Sequence, residues 1–171
     1  MDWLKNKLII RKISEKDIEK FRELYKEILG EAFIEYPPKS INYFVTEDFS
    51  KEFENKKSGG WKSDVWVAFG DEKMLGFLMA EKLYAGVSFC NWLGVIKEFR
   101  GKGIGKALSQ KWQEDIKKEG GHKLMLLNHS PKNNEFYLKM GFKQEGFEEK
   151  LWYGLDYWVF GKVIGEVKGG Y

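Results

Sequence analysis

One cysteine, three prolines and two histidines in 171 residues leave little material for several kinds of chemistry. A lone Cys90 cannot close an internal disulfide, which fits a reducing compartment. His122 and His129 sit at loop positions with no Cys or His at ligand spacing, so no metal is expected. Long apolar runs are also missing. The stretches Leu75 to Ala80 and Val87 to Val95 fall far short of the roughly 20 residues that span a bilayer. Strong charge of either sign is absent too, at +3 net. Neither a nucleic-acid surface nor a polybasic membrane anchor is therefore called for. Residues 1–7 lack an apolar core and a small-residue cleavage site, which argues against export and for a cytoplasmic location. What is present, 43% hydrophobic and 32% charged residues, describes one water-soluble domain over residues 1–171 with a respectable core. Aromatic content of 16% supplies large side chains for that core and for lining a pocket.

Hydrophobic periodicity gives the order of elements. Leu8 to Ile13 predicts a strand, and Ser14-Glu15-Lys16-Asp17 a capping box that opens a helix. Ile18, Phe21, Tyr25, Ile28 and Ala32 recur at steps of three and four, one apolar face. Pro37-Pro38 stops helical structure. A short helix from near Thr46, carrying Phe49 and Phe53, is the one pattern between residues 34 and 64, and Gly59-Gly60 ends that region. Val65 to Phe69, Leu75 to Leu83 and Val87 to Val95 follow as a three-strand meander with turns at Gly70-Asp71 and Tyr84-Ala85-Gly86. Val87 to Val95 is apolar on both parities, which predicts a central strand covered on both faces. Ile104, Leu108, Trp112 and Ile116 mark a helix that Gly120-Gly121 terminates. Lys123 to Leu127 is the next strand. A short helix covers Pro131 to Met140, Gly141 breaks it, and Phe142 to Gly146 with Leu151 to Val163 form a closing hairpin. The class is α/β with a single twisted mixed sheet flanked by helices.

The most informative stretch is Arg100-Gly101-Lys102-Gly103-Ile104-Gly105-Lys106, set between a strand and a helix. That order gathers backbone N–H groups and the positive end of a helix dipole at one point. The glycines let the backbone approach a phosphate, and Arg100, Lys102 and Lys106 add positive charge. A pyrophosphate cradle is the physical reading. Two nucleotide patterns fail on spacing. The Walker loop needs one more residue between its glycines and a hydroxyl where Ala107 stands, and the dinucleotide loop needs Gly where Lys106 stands. Arg100, Gly103 and Gly105, as Arg-x-x-Gly-x-Gly, resemble the coenzyme A pyrophosphate loop of the GNAT superfamily of N-acetyltransferases.

A second motif follows at Ser130-Pro131-Lys132-Asn133-Asn134-Glu135-Phe136-Tyr137-Leu138-Lys139-Met140-Gly141-Phe142. Ser130 reads as a capping hydroxyl with Pro131 at the first helical position. Asn133 and Tyr137 share one helix face, Phe136 and Met140 a second, core-facing one. The tail Phe-Tyr-x-x-x-Gly-Phe resembles the GNAT motif whose tyrosine sits beside the coenzyme sulfur. Many members of that family carry Asn where Ser130 stands and Ala where Asn133 stands. The two motifs come in the family's order, and the resemblance covers residues 65 to 145.

The resemblance implies a GNAT-like fold, acetyl-CoA as cosubstrate and direct transfer to a primary amine of a small molecule or a protein in a ternary complex. It implies coenzyme contacts from Leu93, Val95, Arg100, Gly101, Lys102, Gly103, Ile104, Gly105, Lys106, Ser130, Asn133 and Tyr137. The backbone N–H of Val95 would stabilise the oxyanion and Tyr137 would protonate the departing thiolate. Some family members place a glutamate base on the strand before the loop. Phe89 stands there here, with Asn91 the only polar residue on its face. Asp48, Glu47, Glu81, Asp156 and a water chain stay open as the base. Cys90, on an apolar strand, is read as inert. Tyr36, Tyr43, Phe44, Phe49, Phe53 and Trp61 either border the acceptor or fill the core beneath a long loop. A non-catalytic acyl-CoA-binding or sensing domain of the same fold is the rival reading, and the oligomeric state stays open, a homodimer included.

Overall fold

The computed structural model describes residues 8–54 and 62–167. Seven strands form one mixed sheet in the order β1-β2-β3-β4-β5-β7-β6. They are β1 Leu8–Lys12, β2 Ser63–Gly70, β3 Lys73–Glu81, β4 Val87–Val95, β5 Lys123–Asn128, β6 Lys143–Glu148 and β7 Tyr157–Val163. The helices are α1 Ile18–Ala32, α2 Pro38–Tyr43, α3 Ile104–Lys118 and α4 Asn134–Lys139. The mixed α/β architecture expected from the element order is the one observed. The chain packs as two compact units, residues 1–79 with 92–111 and residues 80–91 with 112–171.

In the first unit β1 pairs antiparallel with β2, from Leu8 opposite Gly70 to Lys12 opposite Trp66. The predicted capping box forms at the start of α1. The Ser14 amide donates to Asp17 Oδ2 at 2.9 Å, and the Arg11 guanidinium reaches both Asp17 oxygens at 2.7 and 2.9 Å. α1 buries Phe21, Leu24, Tyr25, Ile28 and Leu29. Ile18 is half-buried and Ala32 exposed, so the apolar face is centred one row from the expected one. Phe21 carries the core, with Phe49, Phe53 and Phe77 ring centroids at 5.7, 5.4 and 5.2 Å.

Pro37-Pro38 opens a helix instead of stopping one. Pro37 takes the cap position with ψ 134° and Pro38 the first turn, where a missing N–H goes unmissed. The helix then widens into π-helical turns at Phe44–Asp48 and Ser50–Glu54. It therefore starts well before Thr46. Gly59-Gly60 and Trp61 lie outside the described residues.

In the second unit the first part of β4 runs parallel to β5, Val87 opposite Lys123 and Cys90 opposite Leu126. β5 pairs antiparallel with β7, and β6 pairs with the other side of β7 across a register shift at Gln144/Gly146. The final strand begins at Tyr157, not Leu151, because residues 152–154 form a tight turn with Tyr153 at φ 58°. The Trp112 indole donates to Ser88 Oγ at 3.0 Å, and Trp112 stacks on Phe142.

Strand β4 corrects a further expectation. Ser88, Cys90 and Gly94 are buried, while Val87, Phe89, Leu93 and Val95 are half-buried and Asn91 is exposed. One face is covered and the other is partly open, although both parities are apolar. The doubly covered strands are β2 and β3.

Candidate active site

The predicted coenzyme loop leaves β4 through a single turn, Lys97–Phe99. Gly101 and Gly103 adopt φ 74° and 86°, a conformation that side-chain-bearing residues rarely take. A Cβ built on either would meet nothing within 4 Å, so open space lies over this backbone. Gly105 belongs to the first turn of α3 and not to this left-handed pair. The Ala107 amide donates to Gly103 O at 3.0 Å, the first bond of α3. By helical geometry the amides of Ile104, Gly105 and Lys106 then lack carbonyls within the helix and point past its positive end. Ile104 itself is buried and anchors the turn, while Lys102 and Lys106 are exposed.

Arg100 does more than add charge. Its Nε donates to Val95 O at 2.9 Å, and its guanidinium lies 3.9 Å from Glu31. The side chain thus ties the loop to the end of β4, the strand end that carries Leu93 and Val95. The Ile96 amide donates to Leu75 O at 3.0 Å and fixes the same end from β3. Lys102 Nζ lies 4.5 Å from the centroid of the Phe99 ring. Leu93, Val95 and residues 100–106 all belong to the first unit.

Ser130, Asn133 and Tyr137 belong to the second. Tyr137 sits in α4 with its ring 5.5 Å from Phe160 and 6.1 Å from Phe142. Burial raises its phenol pKa well above that of a free tyrosine, and the charge of Cys90 pushes the same way. Tyr137 is therefore a neutral hydrogen-bond donor across the physiological range. Asn133 is exposed, and Phe136 and Met140 are only half-buried, so Phe142 is the core residue of this segment. Ser130 makes no capping bond through its side chain, contrary to expectation. Buried Asn128 takes over instead. Its Nδ2 donates to Ser130 O at 2.7 Å and to Asn134 Oδ1 at 2.6 Å. Sequence reading passed over this residue, although an Asn two positions before a Ser-Pro turn is a recognisable Asx signal.

The open base candidates divide by what they already do. Asp156 accepts the Lys150 amide at 2.9 Å, and Glu47 lies 3.9 Å from Lys51. Glu81 is exposed at the end of β3. Asp48 is half-buried, and its charge reaches the buried Tyr25 hydroxyl. Cys90 is buried, as expected. Of the aromatics between residues 34 and 64, Tyr36, Phe49 and Phe53 are core. Tyr43 is exposed and Phe44 half-buried, with Phe44 at 5.3 Å from half-buried Trp92. His122 and His129 are half-buried. Among the described residues no group of three His, Cys, Asp or Glu is placed to hold a metal. No helix among them is long and apolar enough to cross a membrane.

Residues 61–144 match the family model of the acetyltransferase (GNAT) domain, a span that holds both motifs. An uncharacterised N-acetyltransferase of Chlorobaculum tepidum is 36% identical over 63 residues, which is 35% of this chain and 39% of that protein. The chain thus spans well under half of that curated relative. Among solved structures, the PaiA N-acetyltransferase of Thermoplasma acidophilum in complex with coenzyme A superposes with TM-score 0.73 at 24% identity, over 91% of this chain and 98% of that one. The ribosomal-protein-S18-alanine N-acetyltransferase of Escherichia coli gives TM-score 0.69 at 14% identity, over 96% and 98%. These two likenesses are of fold. With both motifs inside the matched span and the glycine loop in its expected setting, residues 61–144 of this chain form a GNAT acetyltransferase domain.

Proposed function

We propose that this protein is an acetyl-CoA-dependent N-acetyltransferase that moves the acetyl group to a primary amine by direct attack in a ternary complex. The observation that carries the reading is the loop. Two left-handed glycines with open space above them lead into a 15-residue helix. That is the arrangement that receives a pyrophosphate on backbone N–H groups. In this reading Arg100 to Lys106 hold the pyrophosphate, with Leu93, Val95, Ser130 and Asn133 as further coenzyme contacts. The Val95 amide stabilises the oxyanion. The acceptor is a small molecule or a protein. The E. coli relative named above acts on a ribosomal protein, which supports keeping the second class. A cytoplasmic setting fits the lone buried thiol.

Tyr137 is the proposed donor to the departing sulfur. The coenzyme thiol has a pKa near 8.5 by analogy with cysteine. A phenol raised above 10 is a weaker acid than that thiol, so complete proton transfer from it is uphill. The role that follows is a short hydrogen bond that strengthens as charge grows on sulfur, with the net proton coming from the nitrogen of the attacking amine, which is cationic in the tetrahedral intermediate and neutral in the amide product. Tyr137→Phe should lower single-turnover transfer by roughly a hundred- to a thousandfold, the range for losing one donor to developing charge, while coenzyme affinity stays put. Unchanged transfer would remove the role. Phe89, apolar where some relatives carry a glutamate base, favours the second reading of a silent acyl-CoA-binding domain. Acetyl-CoA turnover against a panel of primary amines decides between the two, and calorimetry with CoA against ATP tests the ligand class.

A further inference from the structure

We infer that Asn128 and Lys162 are positioning residues for Tyr137, two strand-borne side chains that clamp opposite ends of the segment carrying it. The inference rests on the proposed role of Tyr137. The helix α4 has six residues, too few to hold its own geometry in water. Its cap residue Asn133 makes no side-chain capping bond, nor does Ser130 at the preceding turn. The fixed points come from the sheet.

At the N-terminal end the Asn128 side chain is fully engaged by the segment. Nδ2 donates to Ser130 O at 2.7 Å and Asn134 Oδ1 at 2.6 Å, and Oδ1 accepts the Ser130 amide at 3.3 Å. Asn128 is 4% exposed, so these bonds are shielded from water. At the C-terminal end Lys162 Nζ donates to Met140 O at 2.7 Å and sits 5.8 Å from the Phe142 ring. An ammonium beside the last carbonyls of a helix also complements its dipole. This is the same turn in which the Met140 and Phe142 amides both donate to Tyr137 O at 3.1 Å. Lys162 thus acts one hydrogen bond away from the tyrosine backbone.

The two clamps share a platform. Asn128 ends β5 and Lys162 lies on β7, strands paired from Lys123 opposite Val163 to Asn128 opposite Trp158. Between them the Tyr137 ring rests on Phe160, also on β7. A donor that must meet a developing thiolate tolerates little drift, since a misplacement of about 1 Å can cost about a hundredfold in rate.

The test uses Lys162→Met, which keeps the stem and removes the ammonium, and Asn128→Leu, each with and without Tyr137→Phe. Lys162→Arg is the conservative control. Single-turnover transfer from bound acetyl-CoA is measured to the fastest amine of the panel or, failing that, to water, beside CoA affinity and thermal midpoint. The expected result is a roughly ten- to hundredfold slower transfer for each single variant, coenzyme affinity within about threefold, and recovery of most of the rate in Lys162→Arg. In the Tyr137→Phe background the same changes should cost less than about twofold, because no phenol is left to position. Equal losses in both backgrounds, or a lowered midpoint with unchanged transfer per folded molecule, overturn the inference. A Tyr137→Phe single variant with full transfer overturns instead the reading on which it rests. Should Asn128→Leu fail to fold, the Lys162 arm alone decides.

Discussion

Asp17 shows how one side chain can serve three partners at once. It accepts from the Arg11 guanidinium, the Ser14 amide and the Ser14 hydroxyl while only 5% exposed. The Arg11 bond holds its carboxyl well below the usual carboxylate range, outweighing the opposing effect of burial, with the Ser14 bonds adding to the lowering. A depressed native pKa means that the stabilisation is complete above the unfolded value near 3.9 and fades as pH falls through the native one. Asp17→Asn should therefore cost about 1.5 to 3 kcal/mol at pH 7, the range for hydrogen bonds to charged groups. Urea titrations of both proteins at pH 7 and pH 3 check this: the gap should narrow at pH 3. A gap that widens on acidification contradicts the assignment. Cys90 is the opposite case, a side chain in the second unit that the proposed chemistry leaves idle. Cys90→Ala should keep most of the turnover, with some loss of stability from the space left behind. Mass spectrometry that traps an acetyl group on Cys90 during turnover would reverse that expectation.

At the scale of elements, local signals that agree with each other were readable in advance. Ile104, Leu108, Trp112 and Ile116 are each at most 1% exposed, as their step of four requires. The glycine loop, the strand before it and the Gly120-Gly121 stop were equally visible, as was the helix bearing Tyr137. Three features were not. Proline is compatible with the first turn of a helix as well as with its end, so Pro37-Pro38 alone cannot say which side is helical. The π-helical turns that follow break the 3.6 period that a sequence pattern reports. The place of β7 between β5 and β6 is decided by pairing far along the chain, which no local window contains. Asn128 is a different case at the candidate site: its partners lie only two and six residues along the chain, so its Asx signal falls within a local window. The loop itself yields a sharp expectation. Gly103 at φ 86° should tolerate no side chain without strain of about 1 to 2 kcal/mol, even though the space above it is empty. Gly103→Ala should therefore lower the thermal midpoint by a few degrees through backbone conformation, a loss that Gly105, outside the left-handed pair, should not share to the same extent.

For the whole molecule, ligand linkage converts the proposed coenzyme site into a measurable stability. A ligand that binds the native state alone stabilises it by about 2.7 kcal/mol at a hundred times its dissociation constant. In a chain of this size each kcal/mol moves the midpoint by about 2 to 4 °C. Saturating CoA should thus raise the midpoint by roughly 5 to 11 °C, and ATP at the same concentration should raise it much less, since the loop lacks both nucleotide spacings. Gly103→Val separates site from scaffold in the same experiment. Its midpoint without ligand should drop because of backbone strain, and its increment with CoA should shrink because a branched side chain now occupies the space over the loop. A variant that loses stability yet keeps the full CoA increment would place the pyrophosphate elsewhere. A variant that loses the increment while retaining a cooperative transition would tie coenzyme binding to the backbone of residues 100 to 106.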